Sequence, residues 1–319
     1  MAPYKLIARL AKAQFLLLLC VYLSPLITNK LYAQQQIQLF NNISEAYINK
    51  DYTLSLQLCN EYLSKYQGDT NVIFIRAKNK YNLGYFTPAK ADLDILYNLV
   101  KVKHPVLYYR GLCLVSMEDY IPARKSFIEA ISLNNKITAY HYNLGLLYIL
   151  TNNWKAAIEA FNEVLLLEPN NADALINKGF AYSMKQMFYE ALQDYNKALT
   201  YMPDNDDLLV KRGMVLISLR KNNQAIQTLK KAIAINPQNH HAYYNIGRAY
   251  FENKDFYKAK LYFDTTLTIK PEMEIALFNR AVSLLELSMS NTYIACEDFK
   301  KAATLGYGEA WEYLKKYCK

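Results

Sequence analysis

The sequence predicts an all-α protein made of a repeated pair of helices, and three periodic series of residues predict it. Glycine recurs every 34 residues, at Gly111, Gly145, Gly179, Gly213 and Gly247. Alanine keeps the same period, at Ala89, Ala123, Ala157, Ala191, Ala225 and Ala259. Proline follows it at Pro169, Pro203, Pro237 and Pro271. A fixed period of about 20–50 residues is typical of repeat proteins, in which each unit is one supersecondary element.

The segment from Thr138 to Asn171 shows what is repeated. With Thr138 as position 1, apolar or small residues stand at positions 7, 8 and 11, and again at 17, 20, 21, 24, 27, 28 and 30. Spacings of three and four residues predict two amphipathic helices, here called helix A and helix B. The intervening Thr151, Asn152 and Asn153 favour a turn, and Pro169 ends helix B.

Glycine at position 8 and alanine at position 20 predict where the two helices of a unit cross. Glycine costs about 1 kcal/mol inside a helix, so close approach of the two backbones is the expected compensation. A bulky residue at position 24 fills the space beside them and is expected to be core, not part of a cofactor site. The residues at this position are Phe127, Phe161, Tyr195, Leu229, Phe263 and Phe299.

This pattern resembles the tetratricopeptide repeat family, whose unit is a helix–turn–helix of 34 residues. The resemblance implies a right-handed α-solenoid of about eight units with a C-terminal capping helix, and A helices that line a concave surface. The first two units are degenerate, and Ile43, Ala77 and Ala281 replace the glycine in three of the eight. The predicted array covers residues 34–308, with units near 36–69, 70–103, 104–137, 138–171, 172–205, 206–239, 240–273 and 274–308, and the cap covers 309–319.

The first 33 residues differ from the repeat. Lys5, Arg9 and Lys12 precede an apolar stretch, AQFLLLLCVYLSPLI, which has the length of a secretory signal core. We therefore expect residues 1–33 to be a signal peptide that is cleaved after Ala33. The alternatives are an uncleaved anchor and lipidation at Cys20.

The charge of the chain argues against nucleic acid as a partner. The formal net charge is +9, and the signal region supplies four lysine or arginine residues and no acid, which leaves 9 − 4 = +5. The remaining lysines and arginines are spread over helix faces beside acids, as on solvated helices. No dense basic run is present in the sequence.

The expected export bears on whether the cysteines form disulfides. Disulfides persist outside the cytosol, so Cys296 and Cys318 could form a bridge that holds the capping helix; the alternative is two unpaired thiols. Cys59 and Cys113 fall on apolar stripes and are expected to be buried thiols.

The concave surface is the expected binding site, because the resemblance places positions 2, 5, 9 and 12 of helix A on it. Leu112, Leu146, Phe180 and Met214 stand at position 9 of four consecutive units, which predicts an apolar groove. An amphipathic helix or an apolar extended segment fits such a groove. The alternative is that neighbouring A helices bury these side chains. The predicted groove residues are Tyr108, Leu112, Val115, Tyr142, Leu146, Ile149, Ile176, Phe180, Met214, Ile217, Tyr244, Arg248 and Phe251.

A different binding mode, the carboxylate clamp of some tetratricopeptide repeats, is not matched. Asparagine recurs at position 6, but cations are not found beside it in the middle repeats. The position 6 asparagines are Asn143, Asn177, Asn245 and Asn279.

The sequence predicts no catalysis, no metal site and no cofactor. The four histidines show no metal-ligand spacing, and each glycine of the series is explained by the repeat. We expect an exported scaffold, periplasmic or associated with the outer membrane, that binds a protein or peptide partner in assembly of an envelope complex. The alternatives are a module that binds cell-wall glycan and a structural protein that self-associates.

Overall fold

A computed structural model describes residues 30 and 32–318. Over this part of the chain the regular structure is helical, with no strand. A short 3-10 helix, Met289–Asn291, lies between the last two long helices. The α-helices are α1 (residues 32–48), α2 (Tyr52–Lys65), α3 (Thr70–Asn82), α4 (Phe86–Leu99), α5 (His104–Ser116), α6 (Tyr120–Leu133), α7 (Thr138–Leu150), α8 (Trp154–Leu167), α9 (Ala172–Met184), α10 (Phe188–Tyr201), α11 (Asp206–Ser218), α12 (Asn222–Ile235), α13 (His240–Glu252), α14 (Phe256–Ile269), α15 (Glu274–Leu287), α16 (Thr292–Thr304) and α17 (Glu309–Tyr317).

The helices pack in sequence order, which confirms the predicted α-solenoid of about eight helix pairs. From α3 onward, each A helix packs on the B helix of its own unit, as α9 does on α10. Within each compact region the B helix also packs on the next A helix, as α10 does on α11, and successive A helices such as α9 and α11 touch. Each unit therefore buries its apolar faces against its neighbours, as in other repeat proteins.

The helices form two compact units, and the first ends at Asn135. The sequence predicts one uninterrupted array. The local signals for the division are two departures from the repeat pattern at the junction. Asn135 stands where the following units have proline. Ile137 gives α7 no side-chain cap, whereas Asn171, Asn205 and Asn239 cap α9, α11 and α13.

The turns between A and B helices share one unusual backbone conformation. The residue at position 15 lies in the left-handed region, with φ between 55° and 63° in the six turns where it is not glycine. This conformation ends helix A and redirects the chain into helix B. The residues are Lys50, Gly84, Glu118, Asn152, Gln186, Arg220 and Lys254.

The bulky residues at position 24 are buried in the core. Phe127, Phe161 and Phe263 have no exposed surface, and Tyr195 is 1% exposed. The alanines at position 20 are equally buried, as at Ala157.

Charged groups add a second link between helices. A cation at position 7 of helix A pairs with an aspartate of its own helix B, as Lys178 does with Asp194. Arg280 pairs with Asp298 on its own helix B and with Asp264 on the preceding helix B. These buried or half-buried pairs link the two helices of a repeat, and the pair of Arg280 with Asp264 also joins consecutive repeats.

The C-terminal helix α17 covers the last helix pair. Ala310 is fully buried, and the ring of Tyr313 lies 5.0 Å from that of Phe278 and 5.1 Å from that of Phe299. Cys296 and Cys318 form a disulfide, with their Cα atoms 5.6 Å apart. The bridge ties the end of the cap to α16.

The predicted signal region lies outside the described residues except for Lys30, Tyr32 and Ala33. None of the helices that the structure describes is both long enough and apolar enough to cross a membrane.

Candidate functional site

The A helices of the second compact unit carry a row of apolar side chains at position 9. Leu146 on α7 and Phe180 on α9 are half-buried, and Met214 on α11 is 44% exposed. Because α7, α9 and α11 contact one another in order, these equivalent positions lie on one face of the array. We call Leu146, Phe180 and Met214 the apolar strip.

A pocket of about 260 Å³ opens beside two members of the apolar strip. It is built by the A helices α9, α11 and α13 and by the B helix α10, all in the second compact unit. The lining residues are Phe180, Ser183, Met184, Phe188, Tyr195, Lys211, Met214, Val215, Ser218 and Arg248.

Aromatic packing positions the wall of this pocket. The ring of Phe180 meets that of Trp154 edge-on, with centroids 5.9 Å apart. Tyr195 is buried beneath Gly179, and burial raises the pKa of its hydroxyl to about 12. The hydroxyl of Tyr195 is therefore neutral across the physiological range, and the wall that it forms is uncharged.

The two serine hydroxyls of the pocket donate to helix carbonyls. Ser183 Oγ donates to the Gly179 carbonyl at 3.0 Å, and Ser218 Oγ donates to the Met214 carbonyl at 3.2 Å. These donors are thus already used within their own helices.

Two cations stand at the same pocket without an acidic partner among the described residues. Arg248 Nη1 donates to the side-chain oxygen of Asn245 at 3.3 Å. Lys211 makes no hydrogen bond or ion pair with a described side chain. Both positive charges are therefore available to an anion that enters the pocket.

Asparagines at position 6 link neighbouring A helices or donate to a carbonyl one turn earlier in their own helix. Asn177 Nδ2 donates to the hydroxyl of Tyr142 at 3.1 Å, and Asn279 Nδ2 donates to that of Tyr244 at 3.0 Å. Asn245 Nδ2 donates to a carbonyl of its own helix at 2.8 Å. These amides serve the packing of the array.

Lys211 is the functional candidate that sequence reasoning missed. It stands at position 6, where the units on both sides have asparagine, so the departure from the repeat was visible in the sequence. Its proximity to Arg248 was not visible in the sequence, because the two residues belong to different 34-residue repeats.

Two predicted groove residues are corrected by the structure. Ile217 is 1% exposed, because it packs with Ile246 where α11 meets α13. Tyr244 is 7% exposed, because its ring lies 5.8 Å from that of Phe263 and its hydroxyl accepts the bond from Asn279. A neighbouring A helix helps to bury both side chains, which was the alternative interpretation, and the B helix α14 also covers Tyr244.

The predicted groove residues outside the apolar strip and these two positions are half-buried. Tyr142 and Ile149 lie on α7, Ile176 on α9 and Phe251 on α13, all in the second unit. Tyr108, Leu112 and Val115 lie on α5 of the first unit.

Four segments match sequence models of the tetratricopeptide repeat. All four lie in the second compact unit, Lys136–Lys319. Residues 138–171, 172–205 and 240–273 each match a model described as a tetratricopeptide repeat. Residues 213–254 match one described as a TPR repeat. No curated protein matches the chain at a significant level.

Solved structures with the same fold include other repeat proteins. The C-terminal part of a TPR repeat-containing protein from Cytophaga hutchinsonii matches with a TM-score of 0.65 and 18% identity, over 75% of this chain and 98% of that one. A tetratricopeptide repeat protein from Parabacteroides merdae matches with a TM-score of 0.56 and 15% identity, over 78% and 99% of the two chains. The APC/C hetero-tetramer Cut9–Hcn1 matches with a TM-score of 0.57 and 13% identity, over 88% of this chain and 55% of that chain.

The matched segments follow the same 34-residue period as the glycine series, and the helices pair as that period predicts. The chain therefore belongs to the tetratricopeptide repeat family.

Proposed function

We propose that this protein is a non-catalytic scaffold that binds a helix or an apolar segment of a partner protein along its A helices. The observation that supports this most directly is the apolar strip, in which Met214 exposes 44% of its surface. Exposed apolar side chains in a continuous row mark interaction surfaces. An amphipathic segment with apolar residues at regular spacing is the matching ligand.

We further propose that the protein is exported and acts in assembly of an envelope complex, in the periplasm or at the outer membrane. The signal-like pattern of residues 1–33 and the disulfide between Cys296 and Cys318 support an oxidising compartment. Cell fractionation and N-terminal sequencing test this proposal. Export predicts a mature protein that begins after Ala33; a full-length protein in the cytosol would contradict it.

Site-directed photo-crosslinking in the producing cell tests the binding surface. A photoreactive residue at Met214 should cross-link a partner, whereas one at Leu166, which is 73% exposed on α8, should not. The captured partner segment is then made as a peptide, and its affinity for the purified protein is measured by calorimetry.

A matched pair of variants completes the test. Leu146→Glu with Phe180→Glu places two charges on the apolar strip and should abolish binding of that peptide. Leu166→Glu with Tyr189→Glu changes two exposed side chains of B helices and should leave binding unchanged. Unchanged binding by the first variant, with an intact helical spectrum, rules out the strip as the site.

One observation keeps cell-wall glycan as a second candidate ligand. Tyr189, Tyr257 and Tyr293 occupy equivalent places on B helices and are 64%, 62% and 76% exposed. Exposed aromatic rings can stack on sugars. Co-sedimentation with purified cell-wall polymer separates this candidate from peptide binding. The natural chain is compared with the variant Tyr189→Ala with Tyr257→Ala. The other alternative, self-association, is tested by light scattering.

A further inference from the structure

We propose that the pocket beside Phe180 and Met214 binds one apolar side chain of a partner segment, and that Lys211 and Arg248 hold an aspartate or glutamate next to it. The inference rests on the proposed peptide-binding function and specifies the chemistry of the ligand. It makes the partner an acidic–apolar segment, not an apolar one alone.

The size of the pocket limits its occupant. A volume of about 260 Å³ is below the roughly 300–1,000 Å³ of sites that enclose whole small molecules. A single phenylalanine, leucine or methionine side chain fits such a space. Phe180, Phe188 and Met214 supply the apolar contacts that favour its burial.

The charges of the pocket determine what lies beside that side chain. Its lining contains Lys211 and Arg248 and no acidic residue. The serine hydroxyls donate to helix carbonyls and Tyr195 is 1% exposed, so these two cations are the polar side chains left to recognise a ligand. A carboxylate next to the buried side chain would pair with both and complement the local positive charge.

A comparison within the same molecule shows why this pocket differs from others. A larger pocket, of about 400 Å³, is lined by Arg280 near the C-terminal end. There the guanidinium donates to Asp264 at 2.9 Å and to Asp298 at 2.6 Å and 2.7 Å. That arginine is neutralised from within the chain, whereas Lys211 and Arg248 are not.

The experiment uses the full chain and a set of fluorescent peptides that share a central phenylalanine. The peptides differ only in the residues on both sides of it, which are aspartate, asparagine or lysine. Fluorescence anisotropy should show the aspartate peptide binding about tenfold more tightly than the asparagine peptide, since hydrogen bonds between charged groups are stronger than those to a neutral amide. Its affinity should fall as salt is raised.

Variants assign the effect to the two cations. Lys211→Gln and Arg248→Gln should each remove about threefold of the affinity for the aspartate peptide, which together account for its roughly tenfold preference, and leave the asparagine peptide unchanged. Lys230→Gln, which alters an exposed lysine on α12, is the matched control and should change neither. The pair Lys211→Glu with Arg248→Glu should reverse the preference toward the lysine peptide, a result that damage to the fold would not produce.

The outcomes separate this inference from the function on which it rests. Equal binding of the three peptides, abolished by Phe180→Glu, overturns the charge pairing and leaves the apolar site intact. Binding that Phe180→Glu does not affect places the peptide elsewhere and overturns both. Failure of all three peptides to bind also overturns both, because the pocket then accepts no apolar side chain.

Discussion

A Cβ atom on Gly145 would lie 2.8 Å from the ring of Phe161, closer than real side chains approach. The glycine at position 8 is therefore required by the bulky residue at position 24 of the same unit. Four other units repeat the relationship at distances of 2.6–2.7 Å: Gly111 with Phe127, Gly179 with Tyr195, Gly213 with Leu229, and Gly247 with Phe263. This contact is the physical origin of the glycine period in the sequence.

Replacement of Gly145 tests this relationship. Gly145→Val should destabilise the protein by about 1–3 kcal/mol, because the added atoms force α7 away from α8. Chemical denaturation followed by circular dichroism measures the change. Gly308→Ala is the control, since no atom lies within 4 Å of its added Cβ, and it should be neutral or slightly stabilising. Equal effects of the two substitutions would contradict the steric explanation.

At the left-handed turn residues, substitution by glycine should stabilise the protein. Gln186 has a φ of 60°, which costs a residue with a side chain about 1–2 kcal/mol relative to glycine. Gln186→Gly should stabilise the protein by about 0.5–1 kcal/mol after the extra entropy of the unfolded chain is subtracted. Thermal unfolding measures the gain. The matched substitution Lys185→Gly, one residue earlier with a φ of −85°, should destabilise instead.

The disulfide should stabilise the C-terminal cap. Cys296 and Cys318 are 22 residues apart, and closing a loop of this length contributes about 3 kcal/mol. Cys318→Ser, or reduction of the natural chain, should increase amide hydrogen exchange in α16 and α17. Helices far from the cap, such as α9, should exchange at the same rate, because each unit of a solenoid contacts only its neighbours. Uniform loss of protection would contradict a local effect.

The two ion pairs of Arg280 should contribute unequally to the stability of the protein. Asp298 is 6% exposed and receives two hydrogen bonds from the guanidinium, whereas Asp264 is more exposed and receives one. Asp298→Ala should destabilise the protein by about 3 kcal/mol, because it leaves a half-buried charge with a single partner.

The matched change at the second acid, Asp264→Ala, should cost about 1 kcal/mol or less, because the side chain of Asp264 is 33% exposed and solvent screens its single bond to Arg280. Urea denaturation of both variants measures the difference. A larger effect of Asp264→Ala would reverse the assignment of the principal partner.

The sequence was sufficient for the helix pairs, because their determinants are local and repeated. Apolar spacing, turn residues and proline recur in each unit, and the same period appears in the segments that match known repeats. The left-handed residues at position 15 were less visible, since Glu118 and Arg220 have no intrinsic preference for that conformation. Their neighbours impose it.

The sequence by itself determined the repeat, the crossing of helices A and B at glycine, and the residues that form the core of each unit. Only the tertiary structure decided which groove positions remain uncovered. Ile217 and Tyr244 are buried, whereas Met214 is exposed and Lys211 meets Arg248 at one pocket. The physical reason is that this surface depends on the distance and angle between A helices of different units, which no single 34-residue period encodes.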